Sequence, residues 1–232
     1  MTREYWSILV ALLGGGLLGR WVLSLGARTV TPIDLRVEGM KKLQEREDQS
    51  GKSFFRDKPR EVQQIDSIVL HQMGFSRGTD PMRYLGVPAH YIVMADGTIA
   101  QLHNWETYLF TSNALNSRSI GVEIAGNFPN EDGRWWSGDK FGRDRPTDQQ
   151  IEAIRGLIRY IDRSLRDQGQ TLRGVFAHRQ SSAAKRNDPG PDVWRGVSPV
   201  FAELGLEDVS DFSIDSGAPI PDSWKSDPGV SA

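Results

Sequence analysis

His178 and Asp188 stand ten residues apart in the run FAHRQSSAAKRNDPGPDVW, and the aspartate opens DPGP, where two prolines and a glycine restrict the backbone. A second isolated histidine, His71, ends the apolar run IDSIVLHQM. Two imidazoles and one carboxylate can hold a zinc ion while leaving a fourth position for water, the donor set of a hydrolytic metal site. Taken singly, a histidine at the end of a buried strand is ordinarily a hydrogen-bonded core or rim residue. Position unites these two: both end predicted strands and can emerge at one sheet edge, and Asp188 follows a loop long enough to fold back beside them. The chain has no cysteine, so a thiolate site and a disulfide framework are both excluded, and any metal is held by nitrogen and oxygen.

The elements that must position these residues lie in a chain of 232 residues, enough for one domain with extensions. Its 38% apolar and 25% charged content is the balance of a globular protein. A formal charge of −2, with no basic run interleaved with aromatics, supplies no field for a polyanion and argues against nucleic acid as a partner.

At the N-terminus, Trp6 to Leu25 is apolar apart from Arg20 and two serines. About 20 such residues can span a bilayer. The GGG at 14–16 would weaken a buried soluble helix, so residues 1–26 read as an export signal or a membrane anchor. That expectation puts the remainder in the cell envelope, periplasmic or otherwise extracytoplasmic. Residues 27–60 mix both charge signs without a sustained apolar period and read as a partly helical tether; the domain is expected over 61–206. Residues 207–232 carry six acids against one lysine, with repeated Pro, Gly and Ser, and read as a flexible acidic tail.

Within 61–206, IDSIVLH, HYIVMADGTIAQLH, RSIGVEIAG and LRGVFAH read as strands, the second as a hairpin turning at Asp96-Gly97. Thr147 is a helix N-cap with Gln150 at the capping-box position, and Ile151, Ile154, Ile158, Ile161 and Leu165 follow as one apolar stripe. A last helix is expected from Pro191 or Asp192 to Leu204. Residues 130–146, with Trp135 and Trp136, read as a long surface loop. The fold class is α/β (α+β): a central mixed sheet flanked by helices.

The order IVLH, AHYIVMADGTIAQL, NSRSIGVEI, then AHR followed ten residues on by DPGP, resembles the zinc-dependent N-acetylmuramoyl-L-alanine amidases of type 2, whose fold is shared with peptidoglycan recognition proteins. The resemblance covers roughly residues 62–204. It implies His71, His178 and Asp188 as ligands of Zn2+, Glu123 as the catalytic glutamate, and hydrolysis of the amide between N-acetylmuramic acid and L-alanine in peptidoglycan or muropeptides. On a strand Glu123 points opposite to Val122 and Ile124, so if those are core, Glu123 faces out. Where family members commonly place a lysine two residues before the aspartate, this chain has Arg186, with Lys185 beside it, and Arg186 is the expected oxyanion-stabilising charge.

Other positions depart from the pattern. Ala89 stands where relatives often have tyrosine, YLFTSNALN replaces a WHAG-like segment, and HQMG replaces an HHTA-like one. His90 is expected to hydrogen-bond in the core and His103 to cap the hairpin. Arg118 has two readings, a contact to a stem-peptide carboxylate or a structural ion pair. The competing functions are a peptidoglycan-binding module without hydrolysis, a membrane-tethered scaffold with a vestigial metal site, and a zinc hydrolase of another peptide amide. Asp188 and Glu123 favour the amidase, since binding-only relatives tend to lose such residues.

Overall fold

The computed structural model describes residues 30–225. The elements run β1 (Ile33–Asp34), α1 (Arg36–Ser50), β2 (Phe55–Arg56), β3 (Ser67–Gln72), β4 (Tyr91–Val93), β5 (Ile99–Gln101), β6 (Tyr108–Leu109), β7 (Ser119–Ile124), α2 (Asp148–Arg166), β8 (Gly174–Ala177), α3 (Pro191–Val197), α4 (Pro199–Glu203) and α5 (Asp222–Lys225). Six strands form a sheet in the order β1-β5-β4-β7-β3-β8; β2 and β6 form a separate antiparallel ribbon. The four strands β4, β7, β3 and β8 pair in parallel, and β5 joins β4 as an antiparallel hairpin. The sheet is therefore mixed, as its sequence pattern predicts.

The hairpin turns at Asp96-Gly97: Gly97 has φ +84°, and the Asp96 carboxylate accepts from the Thr98 backbone N–H. On α2, Ile154, Leu157, Ile158, Ile161 and Leu165 are all buried against Ile68, Leu70, Ile120, Val122 and Val175, one face of the sheet. Each such side chain contributes roughly 1.5–3 kcal/mol through burial. Thr147 caps α2 by accepting from the Gln150 N–H, as expected. The Gln150 side chain does not complete a capping box. Its amide reaches inward to the carbonyls of Val93 and Ala125, where it ties the helix start to the ends of β4 and β7.

Three sequence expectations are corrected. Residues 30–60 are not a tether: β1 extends the sheet beside β5, and α1 presses so closely on the strand end that a Cβ at Gly39 would lie 2.3 Å from the Leu102 carbonyl oxygen. Leu35 packs with Ile92 and Leu102, and Leu43 with Phe55 and Leu109. Residues 207–225 are not a solvated tail. Val209, Phe212 and Ile214 pack on Phe176 and Val69, and Ile220 and Trp224 are buried beside Ala177 and Trp194. The expected last helix is two, α3 and α4, divided at Ser198-Pro199, because proline has no N–H for the helical ladder.

The apolar segment Trp6 to Leu25 lies outside the described residues. Among the described residues, no helix is long and apolar enough to cross a membrane.

Candidate metal centre

Strand alternation places the site. In β3, Ile68 and Leu70 face α2, so Val69 and His71 face the other way. β7 is in parallel register with β3, with Gly121 opposite Val69 and Glu123 opposite His71. In β8, Phe176 shares the face of Val69, and His178 follows two residues later. His71, Glu123 and His178 therefore emerge on the same side, away from α2, at the C-terminal ends of adjacent strands. The loop through Ala183–Lys185 then returns the chain to Asp188.

There the three sequence candidates meet. Nδ1 of His71 lies 2.9 Å from Nδ1 of His178, which in turn lies 3.1 Å from Oδ2 of Asp188. All three side chains are buried, and their nearest donor atoms lie within 4.8 Å of one another. The remaining Asp188 oxygen accepts from the Gln72 backbone N–H at 2.6 Å. The far nitrogens of the imidazoles are also engaged: Nε2 of His71 with Ser112 Oγ and Nε2 of His178 with Asn113 Oδ1, each at 3.1 Å. An Nε2–H donated to the Asn113 oxygen leaves His178 Nδ1 unprotonated. Lone pairs that converge at this spacing with a carboxylate are mutually repulsive unless a cation or proton lies among them. The donor set fits a divalent metal of zinc's preference. Burial, followed by the charges of His178 and Lys185, holds the His71 pKa well below its usual value, so this ring stays neutral and able to ligate.

Glu123 borders this cluster. Its Oε2 is enclosed and has no hydrogen-bond partner. Burial, then the negative charge of Asp188, pushes its pKa up to about 8, with Lys185 acting in the opposite direction. A carboxyl tuned near neutrality is suited to exchange a proton. Arg186 occupies a different setting. It is exposed, its backbone carbonyl accepts from Arg179, and its charge bears on Arg179. The cation whose charge bears on both His71 and Glu123 is its neighbour Lys185.

The other singled-out residues are mostly structural. Gln72, in HQMG, accepts from Phe128 N–H and donates to the Asn187 carbonyl, tying the segment before Asp188 to β3. His90 is buried, with Nδ1 accepting from Gly121 N–H and Nε2 near the Thr107 carbonyl and Arg60, as its core reading anticipated. His103 does not cap the hairpin turn; it is buried after β5 and bonds the Val87 carbonyl. Arg118 pairs with Asp66. Trp135 bonds the Asp144 carbonyl, whereas Trp136 is exposed and stacks on Phe141 with ring centroids 4.8 Å apart. A surface cleft lined by Arg145, Asp148, Arg155 and Asp192 belongs to the α2–α3 side and touches none of the cluster.

Ser112 and Asn113 are the site residues that sequence reasoning did not assign, although Asn113 lies in the departing YLFTSNALN segment. Their advance signals were polar type and their place in that segment.

A buried His–His–Asp set gathered at the C-terminal edge of parallel strands, beside the Glu123 carboxyl, could hold a metal ion on a mixed α/β sheet. A family model described as N-acetylmuramoyl-L-alanine amidase matches residues 61–191, more than half of the chain, and the chain belongs to that family. No curated protein matches the sequence significantly. Among solved structures, the endolysin amidase LysCS from Clostridium intestinale URNW is 16% identical, with 78% of this chain and 100% of that one covered and a TM-score of 0.49. The Apis mellifera peptidoglycan recognition protein SA is 13% identical over 72% of this chain and 94% of that one, with a TM-score of 0.48. A point mutant of Drosophila peptidoglycan recognition protein LB, solved in complex with tracheal cytotoxin, is 14% identical over 67% and 87%, with a TM-score of 0.44.

Proposed function

We propose that this chain is a zinc-dependent amidase that hydrolyses the bond between N-acetylmuramic acid and L-alanine in peptidoglycan or its fragments. The observation that carries this reading is the convergence of His71 Nδ1, His178 Nδ1 and an Asp188 oxygen beside the unpartnered carboxyl of Glu123. Family membership supplies the bond class.

His71, His178 and Asp188 would hold the ion, which would supply Lewis-acid chemistry toward the amide carbonyl and water. With a cation held beside it, Glu123 would be ionised, and its carboxylate takes the proton from the attacking water and returns it to the departing L-alanine amine. Lys185 supplies positive charge opposite the oxygen on which negative charge grows. In this reading it takes the role that the family resemblance implied for Arg186. The apolar run from Trp6 to Leu25 supports action outside the cytoplasm, with the membrane as a second partner when the segment is retained.

The test is to incubate the 232-residue chain with purified peptidoglycan, with and without a chelator. New L-alanine amino termini that vanish on chelation and return with zinc are the expected result. Retention of the intact polymer without new termini would instead make the chain a binding module.

A further inference from the structure

We propose that Ser112 and Asn113 are positioning residues, which hold the His71 and His178 imidazoles in the tautomer that points unprotonated Nδ1 atoms at Asp188. The inference rests on the metal-centre reading above and adds the element that prepares it.

Both far ring nitrogens meet side chains of consecutive residues: His71 Nε2 meets Ser112 Oγ, and His178 Nε2 meets Asn113 Oδ1. The Asn113 oxygen can only accept, so His178 donates its Nε2–H. Ser112 Oγ lies 2.9 Å from Thr111 Oγ1, so it can accept from His71 Nε2–H while passing its own proton to Thr111. In each ring, Nδ1 is then the nitrogen without a proton, and the two Nδ1 atoms are the pair 2.9 Å apart. Ligand imidazoles are commonly oriented by such outer partners.

The loop that presents these side chains is built to stay in place. Asn113 has φ +55°, in the left-handed region that asparagine tolerates better than most residues. Glycine would adopt this backbone more readily but has no acceptor. Asn116 Oδ1 accepts from the backbone N–H groups of both Thr111 and Ser112, at 3.0 and 2.6 Å. Arg60 is buried and bonds the carbonyls of Asn116 and Trp105, where it clamps the loop from below. Leu115 packs in one buried cluster with Val69 and Phe176. A Cβ on Gly121 would lie 3.0 Å from Thr111 Oγ1, so glycine in β7 is what lets the loop pack down on the strand.

The experiment uses the 232-residue chain with Ser112→Ala, Asn113→Gly and Asn113→Asp. Zinc affinity is read by competition with a chromophoric chelator, and the ring tautomers by long-range imidazole 15N NMR of the metal-free protein. Ser112→Ala and Asn113→Gly should each weaken zinc binding about 10–100-fold. Asn113→Asp, which keeps an acceptor and the left-handed backbone, should restore it. The wild-type rings should carry their protons on Nε2, and the variants should mix tautomers while the metal-free melting midpoint holds. Zinc affinity within about twofold of wild type in both weakened variants, or wild-type rings protonated on Nδ1, would overturn the positioning role while leaving the metal centre intact. A wild-type chain that takes up no zinc would overturn the centre and this role together.

Discussion

His71 and Glu123 are direct partners in the parallel ladder between β3 and β7. This register makes the proposed ligand and the proposed proton carrier neighbours on one face of the sheet. A one-residue slip would send one of them to the face packed against α2. The large apolar contact between that face and α2 opposes any such slip, so the core of the fold and the geometry of the site are enforced together.

Replacing His71, His178 or Asp188 by alanine should abolish zinc uptake and amide hydrolysis in parallel. The loss of affinity should exceed the roughly 10–100-fold that removal of an outer partner produces. Zinc content after dialysis and release of L-alanine amino termini are the two measurements. Activity that survives in a zinc-free His178→Ala chain would refute the metal assignment.

Glu123→Gln should retain zinc while kcat falls by about 10²–10⁴, the range of a lost general base. Full turnover in this variant would exclude Glu123 as the proton carrier.

The same substitution has a pH signature in the metal-free protein. The folded-state pKa of Glu123 lies near 8, above its ordinary 4.5. Folding therefore favours the protonated form: that stability is complete below about pH 4.5 and is lost as pH rises through about 8. Wild-type melting temperature should decline across this window more steeply than that of Glu123→Gln. Parallel profiles would place the origin of the decline elsewhere.

Lys185→Met should lower kcat roughly 10–100-fold, less than the loss of an enclosed oxyanion donor because Lys185 is exposed and screened. Arg186→Met should leave kcat close to wild type. The reverse order in steady-state assays would return the role to Arg186.

Trp224 is wholly buried, donates its indole N–H to Glu131 and lies 4.8 Å from the Arg179 guanidinium. Trp224→Ala should therefore destabilise the protein by about 3–5 kcal/mol in a denaturant titration, as for other large core truncations. A change below about 0.5 kcal/mol, the range of an ordinary surface site, would show that residues 207–225 do not belong to the folded unit.

Much of this was legible along the chain where the signal is local and periodic. The stripe of α2, the Thr147 cap and the Asp96-Gly97 turn each follow from residues within a few positions of one another. The packing of α1 against the sheet escaped because its close approach is made at Gly39, which carries no hydropathy, and its buried residues are only Gly39 and Leu43. The C-terminal segment escaped because Val209, Phe212, Ile214, Ile220 and Trp224 are spaced without a helix or strand period in an acidic stretch and are anchored by partners far away in sequence.

The amino-acid sequence alone determined the donor types, their order and the alternation that turns His71 and Glu123 away from the helix-packed face, because strand periodicity is a property of the chain itself. Only the tertiary structure decided which ring nitrogens converge and that Ser112 and Asn113 engage the opposite ones. These depend on distances between residues 41 to 107 positions apart, which folding sets and local sequence does not encode.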